Sequence, residues 1–224
     1  MDTTLAAAPA KATATPAGGD AGWGRQPGNR LLLAAGIAVA LVLLGLLLVV
    51  MSGRRKEEFG ARALAQAMSV AESGNLALAS SELQKVVSTY SGSRAAQQAT
   101  IVLNQIRIVN SQQELAISGL RDFLKGSPSP APEFVVAANG LLGSALENGG
   151  RPAEAGEVYR AGAKAAKDDF LQADLLNQAG RAFRNAGDTE QAIQAYREVV
   201  SKHPKSPGLL EAQVRLAELT KGTM

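Results

Sequence analysis

Two stretches of the sequence decide the fold: GSALENGGRPAEAGEVYR, residues 143–160, and GRAFRNAGDTEQAIQAYR, residues 180–197. An offset of 37 residues matches three pairs: Gly143 with Gly180, Ala155 with Ala192, and Tyr159 with Tyr196. Each stretch has the composition of a helix, a glycine-containing turn and a second helix. Self-similarity at such a period predicts an all-α array of repeats, in which each copy packs on the next.

These positions resemble the tetratricopeptide repeat. Its pattern has a small residue in the first helix, a large one after it, an Ala opening the second helix, an aromatic and a closing Pro. In the last copy these are Gly180, Phe183, Ala192, Tyr196 and Pro204; in the copy before it Lys167 replaces the Pro. The resemblance implies a close crossing of the two helices at the small residue, with large side chains filling the space beside it.

Two weaker copies come earlier in the chain. We call the Ala that opens the second helix the anchor alanine; the four are Ala79, Ala116, Ala155 and Ala192. Leu83 and Leu120 replace the tyrosines, and Pro128 closes the second copy. Arg107 falls where an apolar residue is expected, so a slip of one residue stays open there. We expect about four repeats over residues 61–205.

Several helix starts carry capping patterns. SQQE at Ser111 and DTEQ at Asp188 resemble capping boxes, and Pro132 and Pro152 suit a first helical turn. Residues 206–224 predict a final capping helix, polar on one side, with Ser206 as cap and Pro207 in its first turn. The apolar face of that helix is predicted from Leu209, Leu210, Val214 and Leu219.

The stretch LLLAAGIAVALVLLGLLLVVM, residues 31–51, predicts a single membrane-spanning helix. It has no charged residue, and about 20 apolar residues suffice to cross a bilayer as a helix. A cleaved secretory signal is the competing interpretation, but its apolar region is shorter, about 7–15 residues, and ends at a small-residue site. We therefore expect an uncleaved anchor, preceded by a disordered tail over residues 1–30 and followed by a linker over 52–60.

Charge and composition exclude several function classes. The 168 residues of 57–224 contain 17 basic and 18 acidic residues, so no nucleic-acid partner is expected. The chain has no Cys, and its one His, His203, predicts a solvated loop residue and no metal site. Asp168 and Asp169 suit a helix cap and a first-turn acid better than a catalytic pair. We expect no catalytic residues, no cofactor and no enzyme.

The first helices of tetratricopeptide arrays line a concave groove for an extended or helical peptide, so the resemblance implies protein or peptide partners. The polar residues expected in that groove are Gly140, Ser144, Glu147 and Asn148 in the third copy and Asp174, Asn177, Arg181, Arg184 and Asn185 in the fourth. Ser144, Asn148, Asn177, Arg181 and Arg184 are the candidate peptide-binding residues. A solvated helix face without a ligand explains the same residues.

The position of the domain relative to the membrane stays open, because basic residues nearly balance on the two flanks of residues 31–51. The layout of tail, anchor and repeats resembles the bacterial ancillary subunit of the SecYEG translocon. That resemblance implies a single-pass protein of the bacterial inner membrane with a periplasmic domain, acting as an envelope chaperone or translocon accessory. The alternative is a scaffold subunit whose anchor packs against other subunits of a membrane complex.

Overall fold

The computed structural model of the protein describes residues 27–126 and 129–221. Regular secondary structure over these ranges is helical, which confirms the all-α prediction. The helices are α1 Pro27–Glu72, α2 Leu76–Thr89, α3 Arg94–Val109, α4 Gln113–Leu124, α5 Pro132–Asn148, α6 Pro152–Ala165, α7 Asp169–Asn185, α8 Thr189–Lys202 and α9 Leu209–Thr220. Pro128 and residues 1–26 of the expected tail lie outside the described residues.

The chain divides into two compact units, residues 1–50 and 51–224. The described part of the first unit belongs to α1, which already begins at Pro27 within the expected tail. From Leu32 to Val50 its side chains are exposed, and an 18-residue window of this helix has a mean hydropathy of 3.0. By length and composition the helix can cross a membrane.

Residues 52–60, expected as a linker, are instead helical and continue α1. Within the second unit, the Glu57 carboxylate accepts the backbone N–H of Arg94, with 3.0 Å between nitrogen and the nearer oxygen. Gly60 packs against Ala95, since a Cβ built on the glycine would lie 3.1 Å from the alanine Cβ. This segment therefore belongs to the first helix of the first repeat.

The described residues of the second unit form four helix pairs followed by α9. The C-terminal part of α1 packs with α2, α3 with α4, α5 with α6, and α7 with α8. All four anchor alanines are fully buried. The residues four positions after them are buried as well: Leu83, Leu120, Tyr159 and Tyr196. The same packing thus recurs in all four copies, including the two whose sequences match the pattern less well.

Glycines allow the close helix crossings that the repeat pattern predicts. A Cβ built on Gly143 would lie 2.4 Å from Cε1 of Tyr159, and one on Gly180 would lie 2.6 Å from Cζ of Tyr196. Real Cβ atoms do not approach other carbons so closely, so each ring occupies the space that a side chain would need. The large and small residues therefore fill one another's space, as expected.

The second copy uses a different arrangement, which explains Arg107. Its first helix carries Asn104 at the position of the glycines, and Arg107 Nη1 donates to Asn104 Oδ1 at 3.0 Å and to the Leu115 carbonyl at 3.3 Å. The facing helix supplies the space, since a Cβ on Gly119 would lie 2.7 Å from Asn104 Oδ1. The arginine thus fits without a slip of the alignment.

Most predicted helix starts are confirmed. Pro132 and Pro152 are the first residues of α5 and α6. Asp168 caps α7 by accepting two backbone N–H groups, and Asp188 caps α8 by accepting the Gln191 N–H at 3.1 Å. Only half of the second capping box forms, because the Gln191 side chain accepts a bond from an arginine of α6.

The capping box predicted at Ser111 is wrong. Ser111 has a φ of +57°, in the left-handed region, and its N–H donates to the Ile108 carbonyl at 3.0 Å. The residue therefore closes the end of α3, and Gln112 precedes α4 without a side-chain cap. Ser111 could either end α3 or cap α4, and its left-handed conformation shows that it ends α3.

The start and apolar face of the final helix also differ from the prediction. α9 begins at Leu209, two residues after Pro207, and Ser206 is buried in the preceding turn without capping it. Against α8, α9 buries Ala212 and Leu216, while Leu210 and Val214 are 70% and 47% exposed. The helix covers the end of the array with a narrower apolar face than expected and leaves apolar side chains exposed.

Candidate protein-binding face

The first helices of successive repeats bond to one another across one side of the second unit. Glu147 on α5 lies 3.4 Å from Arg181 on α7, measured from Oε2 to Nη2. Arg184 on α7 lies 3.9 Å from Glu218 on α9. We call the surface formed by residues 57–72 and by α3, α5, α7 and α9 the first-helix face.

Four of the five candidate peptide-binding residues lie on α5 and α7 with accessible side chains. Ser144 is partly buried, and Asn148 is exposed at the end of α5. The side chains of Arg181 and Arg184 are 45% and 35% exposed. The ion pair between Glu147 and Arg181 joins the two helices on this side.

Asn177 has a different role from the one predicted. Its side chain is only 4% exposed, and Nδ2 donates to the Gly208 carbonyl at 2.9 Å. The loop between α8 and α9 therefore covers it. Asn177 is withdrawn from the first-helix face and instead ties α7 to the next element of the array.

Glu147 joins three helices. Its Oε2 accepts the hydroxyl proton of Tyr159 on α6 at 2.9 Å and faces Arg181 on α7. Burial, and then the adjacent Glu147 carboxylate, raises the pKa of the Tyr159 hydroxyl above its ordinary value. Because the Glu147 carboxylate is only 17% exposed while the Arg181 side chain is 45% exposed, the guanidinium remains accessible to solvent while it is paired.

An apolar cavity of about 500 Å³ adds a second feature to the first-helix face, between α1 and α3. Ala61, Leu64 and Met68 contribute apolar surface, and Glu57 and Glu58 lie among the lining residues. Methionine is flexible and adapts to apolar partners of different shape. The first repeat thus offers an apolar contact, whereas the third and fourth offer charged and amide groups.

The sequence analysis did not predict this apolar cavity, although the repeat spacing identifies two of its lining residues. Leu64 and Met68 precede Ala79 by 15 and 11 residues. Two of the positions predicted for the fourth copy, Asn177 and Arg181, precede Ala192 by the same distances. Applying that offset to the weakest copy would have found the cavity.

His203 is not the solvated residue that its loop position predicted. Its side chain is buried, and Nδ1 lies 2.6 Å from Oδ1 of Asp169. Asp169, the first-turn acid of α7, therefore holds the end of α8. Over the described ranges, no group of three or more His, Cys, Asp or Glu side chains could hold a metal ion.

Comparison with known proteins agrees with this geometry. A family model of the tetratricopeptide repeat matches residues 175–206, and no curated protein matches the chain. A tetratricopeptide repeat protein from Parabacteroides merdae ATCC 43184 is similar over 72% of this chain and 60% of its own length, with 12% identity and a TM-score of 0.57. Nearly identical TPR-like repeats assigned to a kinesin light chain of Podosopora anserina match 72% of this chain and 85% of theirs, with 19% identity and a TM-score of 0.57. The fold after the apolar helix is thus a tetratricopeptide-type helical repeat.

Proposed function

We propose that the protein is a membrane-tethered interaction module that binds a segment of a protein partner on its first-helix face. The observation that carries the proposal is the combination, on one surface, of an apolar cavity at Met68 with an anchored but half-exposed arginine at Arg181. Apolar contacts of this kind supply affinity, and a guanidinium orients backbone carbonyls or carboxylates.

The apolar part of α1 supports the tether. A signal sequence has the same general composition, but residues 31–51 exceed the usual length of its apolar region and the helix continues into the first repeat. Anchoring would raise the local concentration of the binding face next to membrane-bound partners, so that weak contacts suffice. Resistance of the full chain to alkaline carbonate extraction, with residues 31–51 retained in its intact mass, is the expected result.

A narrower version of the proposal is an envelope chaperone or translocon accessory with an extracytoplasmic domain. The layout of tail, anchor and repeats supports it. Protease added to intact spheroplasts should then digest the domain, and translocon or folding factors should co-purify. Protection of the domain from the protease would overturn this narrower version but would leave the proposal of a binding face unaffected.

A scaffold subunit of a membrane complex is the second candidate. It is favoured by the exposed Leu210 and Val214 on α9, which leave the end of the array open to packing. A scaffold should co-purify through detergent in fixed stoichiometry, whereas a chaperone should release its clients.

Site-specific photo-crosslinking in intact cells tests the binding face. A photoreactive residue at Met68 or Ser144 should crosslink to the same partner, and one at Ser81, exposed on the second helix α2, should not. Introducing M68E should reduce the crosslink from Ser144, because one ligand contacts both places. Equal yields from Ser81, or no effect of M68E, would overturn the assignment.

A further inference from the structure

A separate cavity of about 340 Å³ lies between the second helices α6 and α8, with α7 contributing the remaining wall. Its ionisable lining residues are Arg160, Lys164, Asp169, Glu198, Lys202 and His203. We call this cavity the α6–α8 cleft. Its volume is at the lower end of the range for small-molecule sites, about 300–1,000 Å³.

Both carboxylates of the α6–α8 cleft already have a cationic or imidazole neighbour. Glu198 lies 2.8 Å from Lys202, and Asp169 lies 2.6 Å from His203. Lys164 has no ion-pair partner among the described residues. The cleft is therefore left with uncompensated positive charge.

Arg160 is held in place at the edge of the cleft. Its guanidinium lies 4.8 Å from the centroid of the Phe183 ring, and Nη2 donates to Gln191 Oε1 at 2.7 Å. The nearest acid, Glu157, is 4.0 Å away. A guanidinium fixed in this way loses little conformational freedom when it binds an anion.

The ring of His203 lines the cleft and bonds to the protein through Nδ1. The Asp169 carboxylate can only accept a hydrogen bond, so the proton between the two groups belongs to Nδ1. Nε2 has no hydrogen-bond partner among the described residues, and the ring lines the cleft. A ligand bound in the cleft can therefore bond to this nitrogen. In the imidazolium form Nε2 can donate a hydrogen bond to an oxyanion. In the neutral form it can accept a hydrogen bond from the hydroxyl of hydrogen phosphate.

The charge is not a general property of the fold, because an earlier pair of repeats forms an equivalent cleft without it. Val87 and Ala163 each follow their anchor alanine by eight residues, and each lines the cleft of its own pair of repeats. At the position ten residues after the anchor alanine, Lys202 corresponds to Gly126. The described lining residues of the earlier cleft contain no charged side chain.

We propose that the α6–α8 cleft binds a phosphate group, coordinated by Lys164, Lys202, Arg160 and Nε2 of His203. A phosphate oxyanion matches the excess positive charge of the cleft, where Lys164 has no ion-pair partner among the described residues. It supplies acceptor oxygens and, as hydrogen phosphate, a hydrogen-bond donor for the neutral ring. The site is built from second helices and the start of α7, so it does not depend on a ligand of the first-helix face.

His203 makes a direct test possible, because it is the only histidine of the chain. Full-length protein with ring-labelled histidine, in non-ionic detergent micelles, gives a single set of imidazole NMR signals. Titration with inorganic phosphate at constant ionic strength should shift these signals saturably, and phenyl phosphate distinguishes a phosphate ester from the free ion. Acetate should act at least about tenfold more weakly, a factor worth about 1.4 kcal/mol.

The double variant K164Q/K202Q should abolish the saturable shift while retaining the wild-type circular dichroism spectrum. K85Q is the matched control. Lys85 is an exposed lysine of α2 that pairs with Glu82 of its own helix, as Lys202 pairs with Glu198 in α8. A shift no larger than that caused by chloride, equal binding of acetate, or an unchanged titration of K164Q/K202Q would each overturn the proposal. None of these readouts involves a protein partner, so they are independent of the crosslinking experiment.

Discussion

The ring of Tyr159 on α6 occupies the space above Gly143 on α5, where a Cβ would lie 2.4 Å from ring atom Cε1. The fourth repeat reproduces this contact between Tyr196 and Gly180. In each of these two helix pairs the second helix packs closely on the first because the glycine has no side chain to displace the ring.

We expect G143A to destabilise the domain by about 1–3 kcal/mol, because the added methyl forces the buried Tyr159 ring to move. Urea unfolding followed by circular dichroism measures the effect. G53A is the control: no atom lies within 4 Å of a Cβ at this helical glycine, and alanine favours helices. A neutral G143A would mean that the helices separate easily and that the crossing is loosely packed.

Alkaline pH should destabilise the domain through its buried tyrosines. Burial raises the pKa of Tyr159 and of Tyr196 in the folded state above the ordinary value of about 10. The folded state therefore holds these protons more tightly than the unfolded state does. The resulting stability is fully present below pH ~10 and is lost as pH rises from there toward the raised values. The urea midpoint measured from pH 8 to 11 should fall, and the fall should be smaller in Y159F/Y196F.

Helix caps give a prediction with two opposite signs. D188A removes the side chain that accepts the Gln191 N–H and should cost about 1 kcal/mol. S111G should instead stabilise by up to about 1 kcal/mol, because Ser111 has a φ of +57°, which glycine adopts freely. Thermal unfolding of both variants checks the pair. Destabilisation by S111G would instead support the predicted capping box, in which the Ser111 side chain caps α4.

Arg181 and Asn177 should separate binding from folding. R181E reverses the exposed charge next to Glu147 and should reduce partner crosslinking from Ser144, with a modest effect on stability. N177A removes the bond to the Gly208 carbonyl and should destabilise by about 1–3 kcal/mol while crosslinking per folded molecule stays unchanged. Crosslink yields normalised to folded protein decide between these outcomes. If N177A reduced crosslinking and R181E did not, Asn177 would belong to the binding face.

The repeat register could be read from sequence because it rests on local composition and on a spacing that recurs. The anchor alanines, the glycines opposite the tyrosines and the caps at Asp168 and Asp188 all follow from side-chain size or hydrogen bonding within a few residues. The segment 52–60, expected as a linker, is instead part of α1. Its contact with the repeats could not be read from local sequence, because Glu57 bonds to the backbone of Arg94, 37 residues later.

The candidate binding face was predicted in part. Ser144, Asn148, Arg181 and Arg184 could be placed from the pattern of the first helices, since residues three or four apart share a helix face. The apolar contribution of Met68 was missed, because it lies in the copy that least resembles the repeat pattern.

By itself the sequence determined an apolar helix able to cross a membrane, an array of paired helices and the register of their contacts. Only the tertiary structure decided which polar residues are buried. Asn177 bonds to Gly208, 31 positions away in the loop before α9, and His203 at the end of α8 bonds to Asp169, 34 positions away at the start of α7. Helical periodicity assigns a residue to a side of its own helix, but the loop or helix that packs there decides whether that side remains open to solvent.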